Sequence, residues 1–172
     1  QIMCYTQDGK EYTFLAKDEL ERALPVLKKA YLKYGEVAGK TVDYMFYDLF
    51  KDYLELKAEN LGSTCFLNDG KGGFIKKELP AEVQLAPVFS FLGLDEKNKS
   101  FLAAGNFYGT IPYEGRYDAL LPTQFSFNTQ KSIFQSGKTI PLVNGEIRDA
   151  KWIKQPGGKK LLILSRNNAE ML

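Results

Sequence analysis

The chain has 172 residues, 44% hydrophobic and 26% charged, with a net charge of +2 and no histidine. That is room for one domain, or one domain with a small appendage, around an ordinary core. The weak charge argues against nucleic acid, which needs a basic stripe; the missing histidine removes Ser-His-Asp and Cys-His catalysis and histidine-ligated metals; no apolar run is long enough for a membrane span.

Two cysteines, Cys4 and Cys65, are too few for a zinc site. They can pair, closing a long loop worth roughly 4 kcal/mol in the chain-entropy account. The simpler expectation is two small buried thiols. The opening Gln1-Ile2-Met3-Cys4 has no basic start followed by an apolar stretch, so no leader is read there, and the chain is expected to be a piece of a larger protein.

In chain order, 2–6 and 11–15 flank Gln7-Asp8-Gly9-Lys10 and predict a hairpin, because Asp-Gly supplies the positive φ that a tight turn needs. Asp18 is expected to open a helix with Glu21 as its capping-box partner. Leu20, Leu24, Leu27 and Tyr31 share one face, and Pro25 should end one short helix and start another. Thr41 can cap a further helix over 41–56. Its Val42, Met45, Phe46, Leu49, Tyr53 and Leu56 recur at spacings of three and four and should face a core.

After Asn60 the pattern changes to short β-prone runs separated by turns. Strands are expected at 63–67, 74–79, 87–94, 100–104, 125–128, 132–135, 147–154 and 160–165. The chain is therefore read as α+β: an N-terminal hairpin plus helical segment over 1–60, then antiparallel β structure over 61–172. Such strands suit a sandwich, barrel or propeller.

The β region resembles the FG-GAP/VCBS repeat proteins, whose repeats form β-propeller blades. The segments that carry the resemblance begin with Phe66-Leu67-Asn68-Asp69-Gly70-Lys71-Gly72-Gly73-Phe74 and Leu85-Ala86-Pro87-Val88. Ala104-Gly105-Asn106-Phe107-Tyr108-Gly109, Gly115-Arg116-Tyr117-Asp118-Ala119 and Gly145-Glu146-Ile147-Arg148-Asp149 follow in order. The chain is similar to the carboxy-terminal part of large bacterial members near the cartilage-acidic-protein branch. The resemblance implies blades of a partial propeller in an exported protein, outside the cytoplasm at the cell surface or in the periplasm. Its blades usually carry a calcium loop of the type Asp-x-Asp-x-Asp-Gly-x-x-Asp. Here Asp95-Glu96-Lys97-Asn98-Lys99-Ser100 lacks the glycine and carries two lysines, so no metal is expected.

Asp69-Gly70-Lys71-Gly72-Gly73 lacks the length and the lysine-hydroxyl ending of a phosphate loop and reads as a hairpin turn. The long irregular stretch 107–122 holds the candidate ligand-binding residues Phe107, Tyr108, Tyr113, Arg116, Tyr117 and Asp118. Their rings and charges can stack on sugars or on a partner protein, or can pin the loop to its own sheet, with an Arg116–Asp118 pair. Glu114 with Asp118, or Glu78 with Glu82, would be the carboxylate pairs of a polysaccharide-acting enzyme. The reading favoured is a non-catalytic binding or scaffold module without a cofactor, its ligand a carbohydrate or a protein. The rest of a parent propeller, or self-association, should cover apolar faces, unless the 17–60 helices do so.

Overall fold

The computed structural model describes residues 2–47, 53–111 and 115–172. The chain divides into two compact units, 1–57 and 58–172.

The first unit opens with a hairpin, β1 (Cys4–Gln7) paired antiparallel to β2 (Lys10–Thr13). Its turn places Asp8 at φ 52° and Gly9 at φ 71°, the left-handed pair that matches strand twist. Among the described residues four short helices follow: α1 (Lys17–Ala23), α2 (Leu27–Ala30), α3 (Tyr34–Val37) and α4 (Val42–Phe46). Pro25 separates the first two as its missing N–H requires. Leu20, Leu27, Val42, Met45 and Phe46 meet in a small core, with Ile2, Leu15, Leu24, Tyr31 and Val37 packed around it.

Three expectations for this unit need correction. The α1 N-cap is Ala16, not Asp18. Glu19 reaches back to the Ala16 N–H at 3.1 Å, whereas Glu21 pairs with Lys17 and Asp18 accepts from the Tyr34 hydroxyl. Alanine offers no oxygen, so only the return half of a capping box forms. The long helix over 41–56 is α4 alone among the described residues. Thr41 caps it, accepting from Tyr44 N–H at 3.4 Å. Residues 53–60 have no regular structure, and Tyr53, Leu54 and Leu56 are exposed; Leu49 lies outside the described residues. Apolar spacing sustains a short helix only where a core receives its face, and α4 has already filled this one with Val42, Met45 and Phe46. Cys4, finally, is an exposed free thiol on β1, and Cys65 is half-buried and free.

The second unit is antiparallel β structure. A hairpin of β3 (Thr64–Asn68) and β4 (Phe74–Glu78) comes first, followed by a 3-10 turn at Ala81–Gln84. A four-stranded meander follows, in the order β5 (Val88–Asp95), β6 (Ser100–Gly105), β7 (Thr123–Asn128) and β8 (Ile133–Thr139). A last hairpin joins β9 (Ile147–Lys154) and β10 (Lys160–Arg166). The described residues form no closed barrel.

The period of two along each strand divides the meander's side chains between its faces. One face carries a phenylalanine ladder. Phe101 stacks on its cross-strand partner Phe125 with centroids 5.4 Å apart, and Phe91 and Phe134 meet Phe125 edge-on at 6.2 and 5.7 Å. Leu79 and Val83, from beside the first hairpin, join Ala103 and Phe125 in the core on that face. The other face buries Leu102 and Ala104 against Ile147, Ala150 and Leu164 of the last hairpin. Trp152 fastens that hairpin further, its indole N–H donating to the Gly93 carbonyl at 3.0 Å. Beyond these layers, Phe66 and Phe74 on the outer side of β3–β4, and Ile153 and Leu161 on the outer side of β9–β10, are exposed.

Candidate functional site

The stretch between β6 and β7 leaves the sheet at Gly105, where only glycine fits. A Cβ there would lie 2.0 Å from the Pro87 carbonyl oxygen. Asn106 follows in the left-handed region at φ 85°, a conformation that asparagine tolerates better than most residues. It is 1% exposed, so its amide must find partners inside the protein. It does: Nδ2 donates to the carbonyls of Leu120 and Gly145, both at 2.9 Å, and Oδ1 accepts from Leu120 N–H at 3.0 Å. One side chain thus ties the two ends of the loop to each other and to the chain entering β9.

A second tie comes from Glu146. Its carboxylate is buried and accepts from Tyr108 N–H at 3.0 Å, from Asn167 Nδ2 at 2.6 Å and from the Arg148 guanidinium. The Tyr108 N–H, with Asn167 and Arg148, holds this carboxyl below its ordinary range against the opposing effect of burial. Arg148 in turn packs against aromatic rings, its guanidinium carbon 3.9 Å from the centroid of Phe89 and 5.7 Å from that of Phe107.

The candidate residues read from the sequence divide on this frame. Phe107 is half-buried and shares both backbone hydrogen bonds with Tyr117, at 2.8 and 3.0 Å. Tyr108 is half-buried beneath the Arg116 guanidinium, 5.2 Å from its ring centroid. Arg116, Tyr117 and Asp118 are exposed. Arg116 faces the Tyr108 ring and makes no ion pair with Asp118 among the described residues, so that expected pair is replaced by a cation–ring contact. Tyr113 and Glu114 lie outside the described residues. Glu78 and Glu82 are both exposed.

The two glycine- and acid-rich turns are filled by their own side chains. Asp69 Oδ1 accepts from the amides of Lys71 and Gly73 at 2.7 and 2.9 Å, and Asn68 Oδ1 accepts from Gly70 N–H at 2.7 Å. The amides that a phosphate would need are therefore already donated. Asp95 accepts from Lys97 N–H at 2.9 Å, from Asn98 N–H at 3.3 Å and from the Asn98 side chain. The Asn98 amide and these N–H groups hold its carboxyl below the usual carboxylate range. Among the described residues no group of three or more cysteine or acidic side chains is arranged for a metal, and no helix is long and apolar enough to cross a membrane.

The ties made by Asn106 and Glu146 are not read from the sequence, where the two residues appear only as members of the Gly105-Asn106 and Gly145-Glu146 segments. The signal was the asparagine after glycine, a pair suited to a left-handed corner. No family model, curated protein or solved structure matches the chain.

Proposed function

We propose that this chain is a non-catalytic binding or scaffold module of the FG-GAP/VCBS type, working outside the cytoplasm as part of a larger propeller. The observation that carries the reading is the face-to-face stacking in the second unit. A four-stranded meander is covered on one face by the β3–β4 hairpin and its 3-10 turn, and on the other by the β9–β10 hairpin. Propeller blades bury their faces against neighbours in this way. On this reading the outer hairpins belong to the flanking blades, and Phe66, Phe74, Ile153 and Leu161 await further strands. A crystal structure of a longer parent chain tests it: further sheets should cover those four residues, and finding them in solvent there overturns the blade assignment.

The non-catalytic part is supported by the carboxylates whose acidity is displaced. Asp69, Asp95, Glu146 and Asp149 are all held low by hydrogen bonds or a cation, which suits structural anions and argues against these four as general acids. The ligand is a carbohydrate or a protein. Native gels cast with soluble polysaccharide, alongside an assay for new reducing ends, separate module from enzyme. Retardation without new ends is the expected result, and release of reducing ends overturns it in favour of a polysaccharide-acting enzyme.

A further inference from the structure

The first unit contains an aromatic concavity that the candidate residues at 107–118 do not touch. Tyr5 and Tyr12 are direct cross-strand partners on β1 and β2, and their rings stack with centroids 5.7 Å apart at 27°. They line an open hollow of about 330 Å³ with Gln7, Asp8, Val37 and Lys40. That is the small end of the roughly 300–1,000 Å³ usual for ligand sites. Tyr5 is 46% exposed. The polar groups around it are uncommitted: the side chains of Tyr5, Gln7, Asp8, Tyr12 and Thr13 make no hydrogen bond or ion pair within the chain among the described residues.

We infer that this hollow is a saccharide site. Tyrosine rings offer flat apolar faces to the C–H side of a sugar ring, and the carboxylate, amide and hydroxyls on the rim match its hydroxyl groups. One Asp8 and one Lys40 give no excess of positive charge for a phosphate or nucleic acid. The rim is too polar for an apolar peptide. A neutral hexopyranose oligomer fits both counts. The inference rests on the module reading above and names its ligand class and its place.

The test is calorimetric titration of the full chain with cellohexaose, maltohexaose and mannohexaose, analysed afterwards for shortened products. At least one should bind with millimolar or tighter affinity. Tyr5→Ala should weaken that binding about tenfold, the weight of one stacked ring. Asp8→Asn keeps a residue tolerant of the left-handed turn and should weaken it too, which separates lost contact from a misfolded hairpin. Lys159→Ala, in the exposed turn between β9 and β10, should change nothing. Binding unchanged by both Tyr5→Ala and Asp8→Asn overturns the site and leaves the module reading intact. The absence of binding to all three sugars also overturns the site, while a protein ligand would still serve the module. Shortened sugars overturn the module reading and leave the site standing.

Discussion

Two aromatic surfaces of this chain are alike in composition and opposite in what their polar groups do. Around Phe107 and Tyr108, Asn106 and Glu146 hold backbone amides and carbonyls from both ends of the loop. Around Tyr5 and Tyr12, the side chains of the neighbouring Gln7, Asp8 and Thr13 make no hydrogen bond or ion pair among the described residues. A ring count cannot tell these apart. The difference lies in whether donors and acceptors are spent on the fold or left facing outward.

The largest expected effects test whether the two surfaces rest on separate cores. Phe46 is 1% exposed, and Phe46→Ala should cost about 3–5 kcal/mol. If each unit stands on its own core, the loss appears in far-ultraviolet dichroism melts while the transition followed by fluorescence of Trp152, the single tryptophan, keeps its midpoint. A common shift of both signals would merge the two regions into one cooperative block. Phe125→Ala, at 2% exposure, should do the reverse with a similar cost.

Next comes the loop itself. Asn106→Ala leaves the Leu120 N–H and two carbonyls without partners and puts alanine at a left-handed φ, so about 3 kcal/mol should be lost in chemical denaturation. The equivalent truncation on the other surface, Tyr5→Ala, should cost far less stability, since that residue is nearly half exposed.

The pH dependence sharpens the comparison further. Glu146 sits below its ordinary value of 4.5 in the folded protein, so its stabilising contribution is complete above that value and is lost as pH falls through the folded one. Glu146→Gln should therefore melt earlier than the parent at neutral pH, and the gap should narrow in acid. A gap that stays constant to pH 3 (about one unit into the carboxylate range) would show that its charge contributes nothing. The smallest effect is expected at the Asp95 turn: added calcium should leave the melting temperature unmoved, and Asp95→Ala should not alter that response. A saturable rise abolished by Asp95→Ala would restore the metal loop.

Much of the fold was legible because hairpins are local events. Asp8-Gly9 and the 68–73 turn announce themselves within a few residues, and the strands beside them follow by alternation. The helix over 41–56 was overread because spacing reports a face and not the amount of core available to receive it. The Asn106 and Glu146 ties were not legible, since Asn106 meets Gly145 across 39 positions and Glu146 meets Tyr108 across 38. Nothing local marks such partners. The same holds for the Tyr5–Tyr12 hollow, whose far wall comes from Val37 to Lys40.

The end of β10 carries a consequence for amide exchange. Leu164 and Leu172 exchange both backbone hydrogen bonds, at 2.8 and 3.2 Å, on the side of β10 away from β9. The pleat then turns the Leu162 N–H toward the same open side, where no described residue meets it. Two amides two residues apart on one strand should thus trade their protons with deuterated water at very different rates, Leu162 fast and Leu164 slow. A strand laid along that edge would erase the contrast, which makes the ratio of the two rates a direct gauge of whether the edge is open or occupied.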